Sequence, residues 1–151
     1  MTDPLFDIHT PRHDLPLLFA GQSQKESFVN EVTARVDALL HMAIEAEAAS
    51  PPGSPADGQC WLIAASPTGD WAGRAGQIAA REAGNWLFLQ PRDGMQVLNK
   101  ATGQGIRFHG TWKIATKPAT PTGGSTIDTE ARAAIAALLV ALVTAGIVPA
   151  T

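Results

Sequence analysis

From Val29 the apolar residues fall at Val29, Val32, Val36, Leu39 and Ala43, a 3-4-3-4 spacing. That spacing serves equally as a coiled-coil seam and as the inward stripe of a globular helix. Ser23 followed by Glu26 reads as a capping box, so a helix is expected from Ser23 to about residue 48. It must stop before Ser50-Pro51-Pro52-Gly53-Ser54-Pro55. From Asp57 the period changes to that of strands. Gln59–Ala64 is a short apolar run between turn residues, and Gln77–Arg81 and Trp86–Leu89 flank a hairpin turn at Glu82-Ala83-Gly84-Asn85. Met95–Asn99, Ile106–His109 and Trp112–Ile114 follow, separated by Gly-containing turns. About six short strands with turns this closely spaced imply a small antiparallel meander, with the first helix over one face.

A second apolar stripe lies near the C-terminus. Ile135, Leu138, Leu142 and Ala145 hold a/d spacing, and Leu139, Val143 and Ile147 widen it. Thr126 or Asp128 caps this helix, Glu130 sits in its first turn, and Gly146 suits the position just past its end. Ile at a with Leu at d does not settle whether two or three strands form. Between sheet and helix, residues 117–126 carry Pro118, Pro121 and Gly123-Gly124 and read as a flexible linker. Before the first helix, Pro4, Pro11 and Pro16 impose an extended arm over residues 1–22. Its Leu15, Leu17, Leu18 and Phe19 need cover from the chain's own domain or from a neighbour. The expected fold is therefore α+β. Its parts are an arm (1–22), a helix with a β-meander (23–116), a linker (117–126) and an oligomerising C-terminal helix (127–148).

Composition narrows the partners. The 151 residues, beginning at Met1, read as one small domain plus an appendage, with a formal net charge of -3. Lys and Arg are scattered singly, with no basic stripe to match a phosphate backbone, so nucleic acid is not an expected partner. The N-terminus lacks a basic region followed by an apolar run, so it does not read as a signal peptide. Ala133–Ala150 is uncharged, but it is rich in Ala, is broken by Gly146 and Pro149, and lacks aromatic or basic flanks. A membrane span is not expected. Cys60 beside Trp61 reads as a small buried hydrophobe.

Candidate chemistry is sparse. His9 and His13 have the spacing of a helical metal pair, but Pro11 lies between them, so neither a metal nor a cofactor is expected. His41 lies beside Leu39 and Leu40, and His109 has no Cys or carboxylate partner in sequence. Asp57, Asp70 and Asp93 all sit in Gly-containing turns, where Asp holds backbone amides. No strained nucleophile turn occurs, and Gly103-Gln104-Gly105 opens a strand and not a phosphate-binding helix. Catalysis is not expected. Trp61, Trp86 and Trp112 read as core, whereas Trp71 in a Gly-rich turn is the ring expected to be exposed and available to a glycan.

One resemblance organises these pieces. Gly21-Gln22-Ser23-Gln24-Lys25-Glu26, then Asn30-Glu31, then Arg35-Val36-Asp37-Ala38-Leu39-Leu40 resemble the DUF2793 family. So do Pro55-Ala56-Asp57-Gly58 with Trp61, and Trp86-Leu87-Phe88 with Pro91-Arg92-Asp93-Gly94-Met95. The resemblance covers about residues 13 to 113. It implies a virion component of tailed phages, prophages or gene transfer agents, often the N-terminal module of a tail fibre or spike. On that expectation the protein is a homo-oligomer, a trimer as such fibres usually are, bound to other virion proteins. Val29, Val32, Val36, Leu39, Ile135, Leu138, Leu142 and Ala145 would form the interface between copies. Gln22, Gln24, Lys25, Asn30 and Glu31 would dock the partner. The rival expectation is a glycan-binding module that recognises host envelope polysaccharide through Trp71.

Overall fold

Two helices and eight short strands in two sheets make an α+β protein in a computed structural model that describes residues 9–18, 21 and 25–150. The chain divides at Pro91 into two units, Met1–Pro91 and Arg92–Thr151.

In the first unit, α1 spans Glu26–Leu39 and is followed by β1 (Ala43–Ile44) and β2 (Glu47–Ala48). Next come β3 (Cys60–Ile63), a 3-10 turn at Gly69–Trp71, β4 (Ile78–Glu82) and β5 (Asn85–Leu89). The sheet order is β2-β3-β4-β5. β3, β4 and β5 pair antiparallel, whereas β2 runs parallel to β3 with Glu47 opposite Leu62. The meander expected from sequence is thus a mixed sheet. The β4–β5 hairpin turns on Ala83 and Gly84, both at positive φ, the two-residue geometry whose twist matches that of the strands. Trp61, Ile63, Trp71 and Ala79 form a core against which Ala46, Ala48, Trp86 and Phe88 pack.

Helix α1 is shorter than its sequence suggests. Leu40 leaves the helix in extended conformation and His41 takes a left-handed φ of 44°, so Ala43–Ile44 and Glu47–Ala48 become strands. At the other end, Ser23 lies outside the described residues. The capping position falls on Lys25, which makes no side-chain cap bond, while Glu26 Oε1 accepts the Gly21 N–H (3.2 Å).

In the second unit, β6 (Gln96–Asn99), β7 (Gln104–His109) and β8 (Thr111–Lys113) form an antiparallel meander. Alternation buries Val97, Gln104 and Ile106, and Phe108 meets its cross-strand partner Trp112 edge to face at 5.3 Å. α2 spans Thr129–Thr144. Asp128 caps it by accepting the Ala131 N–H (2.8 Å). Gly146, at φ 68°, closes it: Gly146 N–H reaches Val143 O and Ile147 N–H reaches Leu142 O, a Schellman motif.

Residues 117–126 make hydrogen bonds within their own unit. Arg132 donates to the carbonyls of Pro121 and Gly123, and Lys117 Nζ donates to Ala150 O (2.9 Å). The buried Gln104 amide donates to Ala115 O (2.7 Å) and Ile147 O (3.2 Å), and Gly105 N–H donates to Gly146 O (2.6 Å). The segment and the end of α2 are therefore tied to their own unit. No helix among the described residues is long and apolar enough to cross a membrane.

Candidate functional site

Helix α1 turns its small and polar side inward. Ala34, Asp37 and Ala38 are buried and Asn30 is half-buried. With Val29 at position a, these residues occupy b, c and f, opposite the a/d seam. The seam itself looks outward. Val29, Val36 and Leu39 are each more than 40% exposed, Val32 is 61% exposed, and Phe28 beside them is 76% exposed.

The inversion follows from how residues 9–18 dock. They are not an extended arm but a tight loop, bridged between His9 and Pro16 and closed over α1. The buried Asp37 carboxylate accepts three hydrogen bonds from this loop: Thr10 Oγ1 (2.6 Å), Arg12 N–H (3.1 Å) and His13 N–H (2.7 Å). The Arg12 guanidinium donates to the carbonyls of Asp37 (3.0 Å), Ala38 (2.6 Å) and His41 (3.1 Å), which are left bare where the helix ends. Asn30 grips Leu18 on both backbone groups, at 2.8 and 3.0 Å. Polar contacts fasten the helix by its back, and its apolar seam is left uncovered.

The residues expected to dock a partner fall into three groups. Gln22 and Gln24 lie outside the described residues. Lys25 is exposed at the helix start. Asn30 is engaged by Leu18, and Glu31 pairs with Arg35 (2.7 Å), whose guanidinium also reaches Phe88 O (3.4 Å). In the second unit, Ile135, Leu138 and Ala145 of the C-terminal seam are exposed, Leu142 is half-buried, and Leu139 is turned inward.

Trp71 corrects an expectation. It is fully buried, its ring 5.1 Å from Trp86 and 6.3 Å from Trp61, because the 3-10 turn folds it onto the sheet. It offers no exposed platform to a sugar. Asp57 and Asp93 hold backbone amides, although in neighbouring turns: Asp57 accepts Gly84 N–H (3.1 Å) and Asp93 accepts Gly110 N–H (2.7 Å). Asp93 also lies 3.3 Å from His109 Nδ1, a partner that sequence distance conceals.

A cleft of about 330 Å³ in the first unit is lined by Leu17, Asn30, Ala34, Glu82, Trp86 and Leu87, with Glu31 at its side. Burial raises the Glu82 pKa above that of an ordinary glutamate, and the charges of Asp37 and Asp57 add to the rise. Glu31 is held by Arg35, so the cleft sets one acid against apolar walls. His9 faces Asp14 (3.8 Å), and His13 Nε2 lies 2.9 Å from Leu40 O. Among the described residues no three His, Cys, Asp or Glu side chains gather into a metal site.

Sequence reasoning missed Asp37, Arg12 and Gln104. A signal was present for Asp37, which sits between Ala34 and Ala38 on a helix side otherwise small enough to be buried. Compared with known proteins, residues 29–113 match the family model described as protein of unknown function, DUF2793. No curated protein matches the chain.

Proposed function

The chain belongs to the DUF2793 family, and from that membership and its outward apolar helix faces we propose a structural virion protein. In this reading it is an oligomeric adaptor in a tail fibre or spike of a tailed phage or gene-transfer-agent-like particle. One observation carries the reading: α1 is fastened by polar bonds on its back and leaves Phe28, Val29, Val32, Val36 and Leu39 uncovered. An apolar stripe of this kind marks a contact surface. The protein acts by burial between chains and not by catalysis. α1 and α2 bring copies together, as a trimer, and the exposed Lys25 end of α1 faces a neighbouring virion protein. The virion context comes from the family resemblance. The buried Trp71 and the Trp61–Trp71–Trp86 cluster weigh against the glycan-binding alternative, which needs exposed rings.

Gold-labelled antibody on purified particles from a producing strain tests the reading. Label is expected on a fibre or spike. Particles that lack the protein while the producing cells contain it would contradict the assignment.

A further inference from the structure

We propose that α1 pairs with α1 of further copies of this chain, in parallel and in register, through Val29, Val32, Val36 and Leu39. This deepens the oligomeric reading and rests on it. The two heptads hold Val at a, Val at d, Val at a and Leu at d. Such a seam is uncharged and of one chemistry along its length, so it meshes best with a copy of itself. The flanking positions raise no obstacle. At e and g stand Phe28, Thr33, Arg35 and Leu40, so parallel copies set Phe28 against Thr33 and Arg35 against Leu40. No like charges meet, and Arg35 is already neutralised by its own Glu31 at 2.7 Å.

Along the seam and its flanks six large apolar side chains, Phe28, Val29, Val32, Val36, Leu39 and Leu40, are each at least 40% exposed, a contiguous surface of the kind that contributes to the roughly 800 Å² one partner buries in a stable interface. A free helix of 14 residues would be marginal in water. α1 is instead held in place by the Asp37, Arg12 and Asn30 bonds, so pairing does not have to order it first. Val32 sets the number and direction of strands. Two-stranded coils favour β-branched residues at a with Leu at d, and a β-branched residue at d shifts preference to higher order. Three or more identical helices related by one rotation axis are necessarily parallel and in register.

The test uses the full chain with Val32→Cys, and Ser27→Cys on the opposite side of α1 as control. Wild-type Cys60 is fully buried and does not interfere. Under mild oxidation Val32→Cys is expected to form disulfide-linked dimers in most molecules, and Ser27→Cys few or none. Val32→Lys, at a position 61% exposed and so free of a folding role, is expected to lower the oligomer mass while leaving the circular dichroism unchanged. An oligomer that survives Val32→Lys, or equal cross-linking at both cysteines, overturns the pairing and leaves the oligomeric reading standing. A wild-type chain that is monomeric at tens of micromolar overturns both.

Discussion

Asp37 is the residue on which the first unit turns, because one buried carboxylate orders a loop that lies about two dozen residues earlier in the chain. Its acceptors serve Thr10, Arg12 and His13 together, so Asp37→Ala leaves three donors without a partner. The expected loss is about 3 kcal/mol of stability, measured by denaturant unfolding, with Asp37→Asn losing less because one acceptor oxygen survives. Glu82 works in the opposite direction. Its raised pKa, from burial first and then from Asp37 and Asp57, means that the folded state holds this proton more tightly than the unfolded chain does. Stability from this group is therefore greatest below the ordinary glutamate pKa and is lost as pH rises through the higher folded value. Glu82→Gln is expected to raise the melting temperature at pH 7 and to leave little difference from wild type near pH 4. A variant that melts lower at neutral pH would contradict this. The Glu82 role was not legible in the sequence, and that of Asp37 only in the small Ala34 and Ala38 on its side of the helix. Asp37 has the appearance of a solvated helix residue, and its partners are distant in the chain. Trp71 resembles an exposed turn residue until the folded sheet places Trp61 and Trp86 beside it.

At the scale of elements, local signals were readable wherever the chain itself supplied the stop. The β4–β5 hairpin and the α2 ends, with Asp128 before and Gly146 after, follow from turn and cap chemistry. The end of α1 does not, because nothing between Leu39 and Ala49 is a helix breaker. Arg12 takes the last carbonyls and β3 recruits Glu47 and Ala48 as a parallel neighbour, so tertiary contacts override the helical preference of an Ala/Glu-rich run. Two outcomes follow at this scale. Gly146→Ala forces a side chain into left-handed backbone, with its Cβ 3.2 Å from Gly103 O. It should weaken the α2 end by about 1–2 kcal/mol, seen as faster amide exchange at Gly105 and Ile147. Leu138→Asp, at a site 59% exposed, should leave the second unit folded and reduce association. Unchanged association would remove Leu138 from the interface. Leu142 is less suited to the test, because it is half-buried and its carbonyl closes the Schellman turn.

For the whole molecule, the α+β class and the two helices were legible from periodicity, and the family from a few short motifs. The division at Pro91 was not, because Leu89-Gln90-Pro91-Arg92 has the look of any other turn in a meander. The proposed assembly associates through outward apolar seams. Apolar contacts of this kind respond little to screening, so the assembly should persist in about 0.5 M salt, where one built on surface ion pairs would weaken. The most direct test is the mass of the full-length protein in solution, measured by light scattering on a sizing column. A single species at three times the 15.8 kDa chain mass, stable to dilution into the low micromolar range, is expected. A species of 15.8 kDa at every concentration would contradict it.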